Sequence, residues 1–271
     1  MIYVLGSTGM LGRYVNSYLQ STVFDVTPVS RETLDATDGK EIIFSTLNSL
    51  NIKTNDVLIN CMGVIKQRGD VTASSFILVN GVFPHILNEY CELRGAKLIH
   101  ITTDCVFSGS KGSYMECATH DAADIYGKSK SVGEPTTATV VRTSIIGEEL
   151  ENKKSLLEWI KSSEGKEVSG YEDHWWNGIT CLQFAKICET IITEELYWEG
   201  VRHIYSREII NKSELVTLIS FIYGLHIKVM PVCTGTLCDR SLMSMYDDVK
   251  FEIPGLAFQL AEIRNYNLNQ E

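Results

Sequence analysis

Short apolar runs alternate with stretches of helical spacing through the first half of the chain. "IYVLG" (2–6) is an apolar run closed by glycine, and "MLGRYVNSYLQ" then repeats apolar side chains at helical intervals. "FDVTPVSR" (24–31) predicts a second strand, "EIIFSTLNSLN" (41–51) a helix and "DVLINCMGV" (56–64) a third strand. "SSFILVNGVFPHILNEYCELR" (74–94) has the period of one long helix, bent or interrupted at Gly81 and Pro84. "AKLIHITTD" (96–104), "YGKSKSVGE" (126–134) and "ATVVRTSIIG" (138–147) predict strand, helix and strand. Strands that are apolar along their length and alternate with helices imply βαβ units. The fold class is therefore α/β: a doubly wound parallel sheet, Rossmann-like, covered on both faces.

Beyond residue 147 the pattern loosens. "SLLEWIKSS", "CLQFAKICETII" and "KSELVTLISFIYG" predict helices, and "VRHIYS" and "HIKVMPV" predict strands. "EVSGYEDHWWNGITCL" mixes aromatic and polar residues and reads as a loop. Residues 1–147 are expected to form a dinucleotide domain, with 178–206 packing back on it. A smaller C-terminal α/β lobe for substrate is expected from 148–177 and 207–271.

The 271 residues are enough to bury a core without disulfides or metals. A net charge of −10 argues against an electrostatic nucleic-acid binder. None of the eight cysteines forms a CxxC pair, and no metal-ligand spacing occurs, so buried free thiols are expected and no metal. No apolar run is long enough to span a bilayer, and the opening residues lack a signal-peptide pattern. The expected location is the cytoplasm.

"GSTGMLG" sets Gly6, Gly9 and Gly12 between the first strand and first helix. Glycines there allow a tight turn, close backbone approach to a pyrophosphate and close helix–strand packing. The second strand ends in "PVSR" rather than in an acid, so Ser30 and Arg31 are expected to hold a 2′-phosphate, favouring NADP(H).

Tyr126 and Lys130 lie one helical turn apart and reach one face. A lysine ammonium is expected to lower the phenol's pKa, suiting it to exchange a proton with a carbinol. Thr103, at the end of the fourth strand, supplies a hydroxyl to orient the substrate oxygen.

With "GSTGMLG", "INCMGV", "TTDCVFSGSKGSYMEC", "YGKSKSVGEP", "VVRTSIIG" and "DRSL", the chain resembles the extended short-chain dehydrogenase/reductases, above all the dTDP-4-dehydrorhamnose reductase branch. The resemblance implies a homodimer that reduces the C4 ketone of a UDP- or dTDP-linked 4-keto-6-deoxyhexose. Thr103, Tyr126 and Lys130 fall on the family's catalytic set. Gly6, Thr8, Gly9, Met10, Leu11, Gly12, Cys61, Met62 and Gly63 fall on cofactor positions, as do Tyr126 and Lys130, and Asn80 supports the lysine. Val64, Asp104, Trp175, Trp176, Asn177 and Arg240 are expected on the substrate side, with Arg240 meeting the diphosphate. "TTDCVF" stands where related chains read "STDYVF", and "HWWNGIT" resembles reductases of surface-glycan pathways instead. Cys105 is expected to share Thr103's side of the strand. In relatives a cysteine there exchanges protons beside the ketone, which would add C3/C5 epimerisation with His174 as the opposite acid/base. The alternatives are a non-catalytic NADP-binding regulatory subunit and a 4-epimerase or 4,6-dehydratase.

Overall fold

Six parallel strands form the central sheet of the computed structural model, which describes residues 1–66, 69, 71–150, 153–246 and 251–266. The chain runs β1 (Ile2–Leu5), α1 (Met10–Gln20), β2 (Val26–Val29), α2 (Lys40–Ser49) and β3 (Val57–Asn60). Next come α3 (Ala73–Phe76), α4 (Phe83–Arg94), β4 (Lys97–Thr103), α5 (Ile125–Val132), β5 (Thr139–Thr143) and β6 (Ile145–Ile146). Then follow α6 (Leu156–Lys161), β7 (Glu167–Tyr171), β8 (His174–Trp176), β9 (Ile179–Thr180), α7 (Cys181–Thr193) and β10 (Gly200–His203). The last elements are β11 (Ile210–Asn211), α8 (Lys212–Tyr223), β12 (Lys228–Val232), β13 (Cys238–Asp239) and α9 (Leu256–Asn265).

The strand order is β10-β5-β4-β3-β1-β2, so the expected parallel sheet forms and the late strand β10 extends it beyond β5. One face buries Val4, Ile59, Ile99 and Val141 against Tyr14, Leu19 and Phe184 of α1 and α7. The other buries Leu5, Leu58 and Val140 against Ile43, Leu47, Phe83 and Leu87 of α2 and α4. Both faces are dry, which is why these strands carry no alternation.

The predicted long helix does not keep one period. Between α3 and α4 the stretch Ile77–Val82 is a π-helix. Pro84 lies in the first turn of α4, directly after the π-helical stretch, where the helix changes its period. The stretch expected as a loop, 167–180, instead forms β7, β8 and β9. Their partners come from far along the chain: β7 pairs with β12, and β8 with β11 and β13. Strands of two to five residues with such distant partners leave no readable period. With α6, α8 and α9 they enclose a second core around Trp176, Leu215, Ile219 and Leu260. Among the described residues no helix is long and apolar enough to cross a membrane.

Candidate active site

The strand order reverses between β1 and β3, and a cleft of about 540 Å³ opens there at the strands' C-terminal ends. Gly6 turns the chain at φ +78°, and its N–H donates to the Val29 carbonyl at 2.8 Å. A Cβ on Gly12 would stand 2.1 Å from the Gly6 carbonyl oxygen, so turn and helix touch backbone to backbone. Gly9 precedes α1 without a side-chain cap. The first-turn N–H groups thus lack a side-chain acceptor, the arrangement that binds an anion. Gly6, Thr8, Gly9, Met10, Cys61, Met62, Gly63 and Val64 line the cleft, as do Arg13, Arg31 and Asp35. A dinucleotide fits this donor set: a glycine cradle, a helix N-terminus and two arginines.

Three further residues expected at the cofactor also make contacts within the chain. The Leu11 side chain packs in the core beneath the helix. Ser30 serves the turn after β2, its carbonyl accepting from the N–H groups of Thr33 and Leu34 at 3.2 and 3.1 Å. Asn80 is fully buried: its Oδ1 accepts from Val64 N–H and its Nδ2 donates to Val64 O, both at 2.9 Å, and Nδ2 also reaches Ser129 Oγ at 3.3 Å. Asn80 therefore clips the cleft wall to α5. Arg31 stays in the cleft, but its Nε is engaged with Asp35 Oδ2 at 3.0 Å. Burial works against Asp35's charge, yet two bonds from Thr37 and the arginine hold its carboxyl below the usual range. Asn60 went unnoticed in the sequence: it bridges His100 Nδ1 at 3.1 Å and accepts from Met62 N–H at 3.0 Å, shaping the loop after β3.

Thr103 and Tyr126 meet beside this cleft, and Lys130, one turn further along α5, borders it. The α5 helix starts at an Asp124 cap that accepts from Gly127 N–H at 3.0 Å. A Cβ on Gly127 would stand 2.3 Å from the Cys105 carbonyl oxygen, so only glycine lets α5 close on the turn after β4. That contact sets Tyr126 against Thr103, whose hydroxyl hydrogen-bonds the phenol. Thr103 Oγ1 also donates to Asp104 Oδ1 at 3.0 Å and accepts from Cys105 N–H at 3.1 Å. Lys130 is buried, and burial draws its ammonium pKa down to about 8 despite Glu134 and Cys61. Its Nζ lies 3.2 Å from where a Gly63 Cβ would stand, so it borders the cleft.

The expected lowering of Tyr126 by Lys130 is not found. Burial first, then Cys105, raises the phenol well above its ordinary value. Lys66, absent from the sequence reading, holds its ammonium 5.9 Å from the Tyr126 ring and pairs with Asp124 at 2.8 Å. The far end of α5 is anchored by Arg142, a fully buried side chain that binds Glu134 through Nε at 3.0 Å and Nη2 at 2.6 Å.

The substrate side departs further from expectation. Strand β4 ends at Thr103 and Asp104–Val106 is a 3₁₀ turn, so strand alternation does not place Cys105; the turn does. Burial, reinforced by Asp104, pushes its thiol up to about 12. Asp104 is buried and its carboxyl raised by that burial, with Arg240 and Lys212 opposing. The Asn177 side chain exchanges two bonds of 2.9 Å with the Leu242 backbone. Trp176 belongs to the small-lobe core, whereas Trp175 is partly exposed on β8. His174 lies against Tyr171, ring centroids 4.8 Å apart, with Thr234 Oγ1 3.4 Å from its Nε2. Among the described residues no contact joins it to Cys105. Arg240 Nε donates to Phe107 O at 2.9 Å and Nη2 to Ser108 O at 3.4 Å, clamping the loop after the turn. Lys212 was missed altogether. The box formed by Asn211 and Glu214 marks a helix start in "NKSE", but nothing local says that the lysine between them faces Asp104.

A dTDP-4-keto-6-deoxy-D-glucose reductase of Streptomyces niveus is 31% identical over 150 residues, covering 52% of this chain and 51% of that protein. The chain thus spans about half the length of the first curated relatives it matches. The spore coat polysaccharide biosynthesis protein SpsK of Bacillus subtilis is 26% identical over 245 residues, 86% of this chain and 83% of that one. Among solved structures, a dTDP-4-dehydrorhamnose reductase from Yersinia enterocolitica superposes with a TM-score of 0.79 at 20% identity, covering 97% of this chain and 98% of that one. A Bacillus anthracis dTDP-4-dehydrorhamnose reductase in complex with NADP gives the same TM-score, identity and coverage. At that identity the likeness is one of fold: a Rossmann-like sheet with a smaller lobe. The family described as RmlD substrate binding domain matches residues 1–234, and the chain belongs to it.

Proposed function

We propose that this chain is a cytoplasmic, NADPH-dependent reductase of the C4 ketone in a UDP- or dTDP-linked 4-keto-6-deoxyhexose. The observation that carries the reading is the meeting of Thr103 and Tyr126 beside a glycine-lined cleft that Lys130 borders, in a chain of this family. The reductase names of its relatives and the NADP complex of the Bacillus anthracis protein support it. Residues 1–147 with 178–206 are read as the dinucleotide half, and 148–177 with 207–271 as the substrate half.

Bound in the cleft, the nicotinamide supplies the hydride that C4 accepts. The chain's own work is the proton. Burial keeps the Tyr126 phenol protonated, so it donates to the oxygen at C4 as charge builds there. The Thr103 hydroxyl orients that oxygen. Lys130, an ammonium below about pH 8 that borders the cleft, is read as the group holding the nicotinamide ribose hydroxyls. Cys105, its thiol raised by burial and by Asp104, is read as a neutral neighbour of the phenol, and the test below separates plain reduction from reduction with C3/C5 epimerisation. Exposed Ile77, Leu78, Val82 and Val132 form an apolar face read as the homodimer contact; a monomer by light scattering at micromolar concentration removes that part.

The test is turnover in deuterated water with NADPH or NADH and a panel of UDP- and dTDP-4-keto-6-deoxyhexoses. Expected are NADPH consumption, a lower Michaelis constant for NADPH than for NADH, and no deuterium at C3 or C5. Deuterium there that disappears in Cys105→Ser restores the epimerase-reductase. Product formed without net NADPH consumption points to an epimerase or dehydratase. NADPH binding without turnover across the panel points to a regulatory subunit.

A further inference from the structure

Among the described residues Lys212 has neither a hydrogen-bond acceptor nor an ion-pair partner. Its Nζ stands 5.3 Å over the ring of Trp176, a buried and therefore fixed floor. Asn211 and Glu214 exchange cap bonds of 2.9 and 3.0 Å around it, so the first turn of α8 is rigid. Its charged neighbours are Asp104 and Arg240, with the thiols of Cys105 and Cys238 nearby. Yet the Asp104 carboxylate takes its hydrogen bond from Thr103. Among the described residues Lys212 has the Trp176 ring but no hydrogen-bond acceptor and no salt bridge. A largely buried ammonium with three unused donors is costly unless an acceptor arrives from outside the chain.

Arg240, which the sequence assigns to the diphosphate, spends two of its N–H groups on the carbonyls of Phe107 and Ser108. We propose that Lys212, rather than Arg240, is the principal cation reading the diphosphate of the nucleotide sugar; the proposal rests on the reading of the substrate given above. Lys212 and Arg240 against Asp104 leave one net positive charge, in a chain whose net charge is −10. A sugar hydroxyl needs no such local excess. The diphosphate is the substrate's only anion, and a compact ammonium on a flexible stem suits it.

The experiment is calorimetric titration of UDP and dTDP, without any sugar, into the wild-type chain and into Lys212→Met, Lys212→Arg and Arg240→Ala. NADPH titration of each variant checks the fold. Loss of a charge-assisted hydrogen bond should weaken the nucleoside diphosphate about ten- to a hundredfold in Lys212→Met. Lys212→Arg should recover most of the affinity, Arg240→Ala should lose less, and NADPH binding should hold throughout. Unchanged diphosphate affinity in Lys212→Met overturns the proposal, and a raised sugar Michaelis constant in that variant would then assign Lys212 to the sugar. Loss of NADPH binding in both Lys212 variants overturns it by making the residue structural. A wild-type chain that binds neither UDP nor dTDP sinks the nucleotide-sugar reading itself.

Discussion

The glycine-loop cleft and the substrate side of Tyr126 are built from different material. The cleft is made largely of backbone: the Gly6 turn, the start of α1 and the loop after β3 supply its shape, and local contacts hold each. The substrate side is made of side chains from separate segments. Asp104 and Cys105 come from the turn after β4, Trp176 from β8, Lys212 from α8, and Arg240 follows β13. A cradle of backbone tolerates no added atom but cares little which side chains surround it. A cluster of side chains can be retuned one residue at a time while the fold stays the same. This contrast suits a shared cofactor and a varied substrate.

The contrast can be broken in three places. Tyr126→Phe, at the junction of the two regions, should cost roughly two to four decades in turnover, the range for a positioned acid. NADPH affinity should hold, because the cleft is built from other atoms; near-normal ketone reduction would end the assignment. Gly12→Ala should act on the cleft alone. Its methyl meets the Gly6 carbonyl at 2.1 Å, so the penalty should reach the upper end of the roughly 1–3 kcal/mol that overpacking costs. It should appear as a lower melting temperature and weaker NADPH binding. A variant that keeps both would show the cleft to be softer than its geometry implies.

The smallest effect is the pH dependence. Lys130, with a pKa near 8, should impose a limb on the rate, about tenfold lost per unit above that pH. The sign for stability is opposite. The folded value lies below the roughly 10.4 of an unfolded lysine, so between them the unfolded chain binds the extra proton. This residue's contribution to stability therefore rises with pH from about 8 towards 10.4, and Lys130→Met should flatten both trends. A rate that stays level through pH 9 would show that the ammonium is dispensable.

The parallel sheet, the glycine turn and the meeting of "TTD" with "YGKSK" were legible because each is written in adjacent residues. Strand, turn and helix follow from periods of a few positions, and Tyr126 and Lys130 share a helical face by spacing alone. What tertiary structure decided is where side chains from distant segments end. The side chains of Asn177 and Asn80 bond the backbones of Leu242 and Val64. Arg240 gives two of its N–H groups to carbonyls, and Lys212, from a helix far along the chain, stands over the Trp176 ring. The Tyr126 phenol was expected to answer to the lysine four residues on, and burial outweighs it. Periodicity reports which face of an element turns inward. It does not report which polar group already has a partner there, because that depends on a second segment whose position only the folded chain defines.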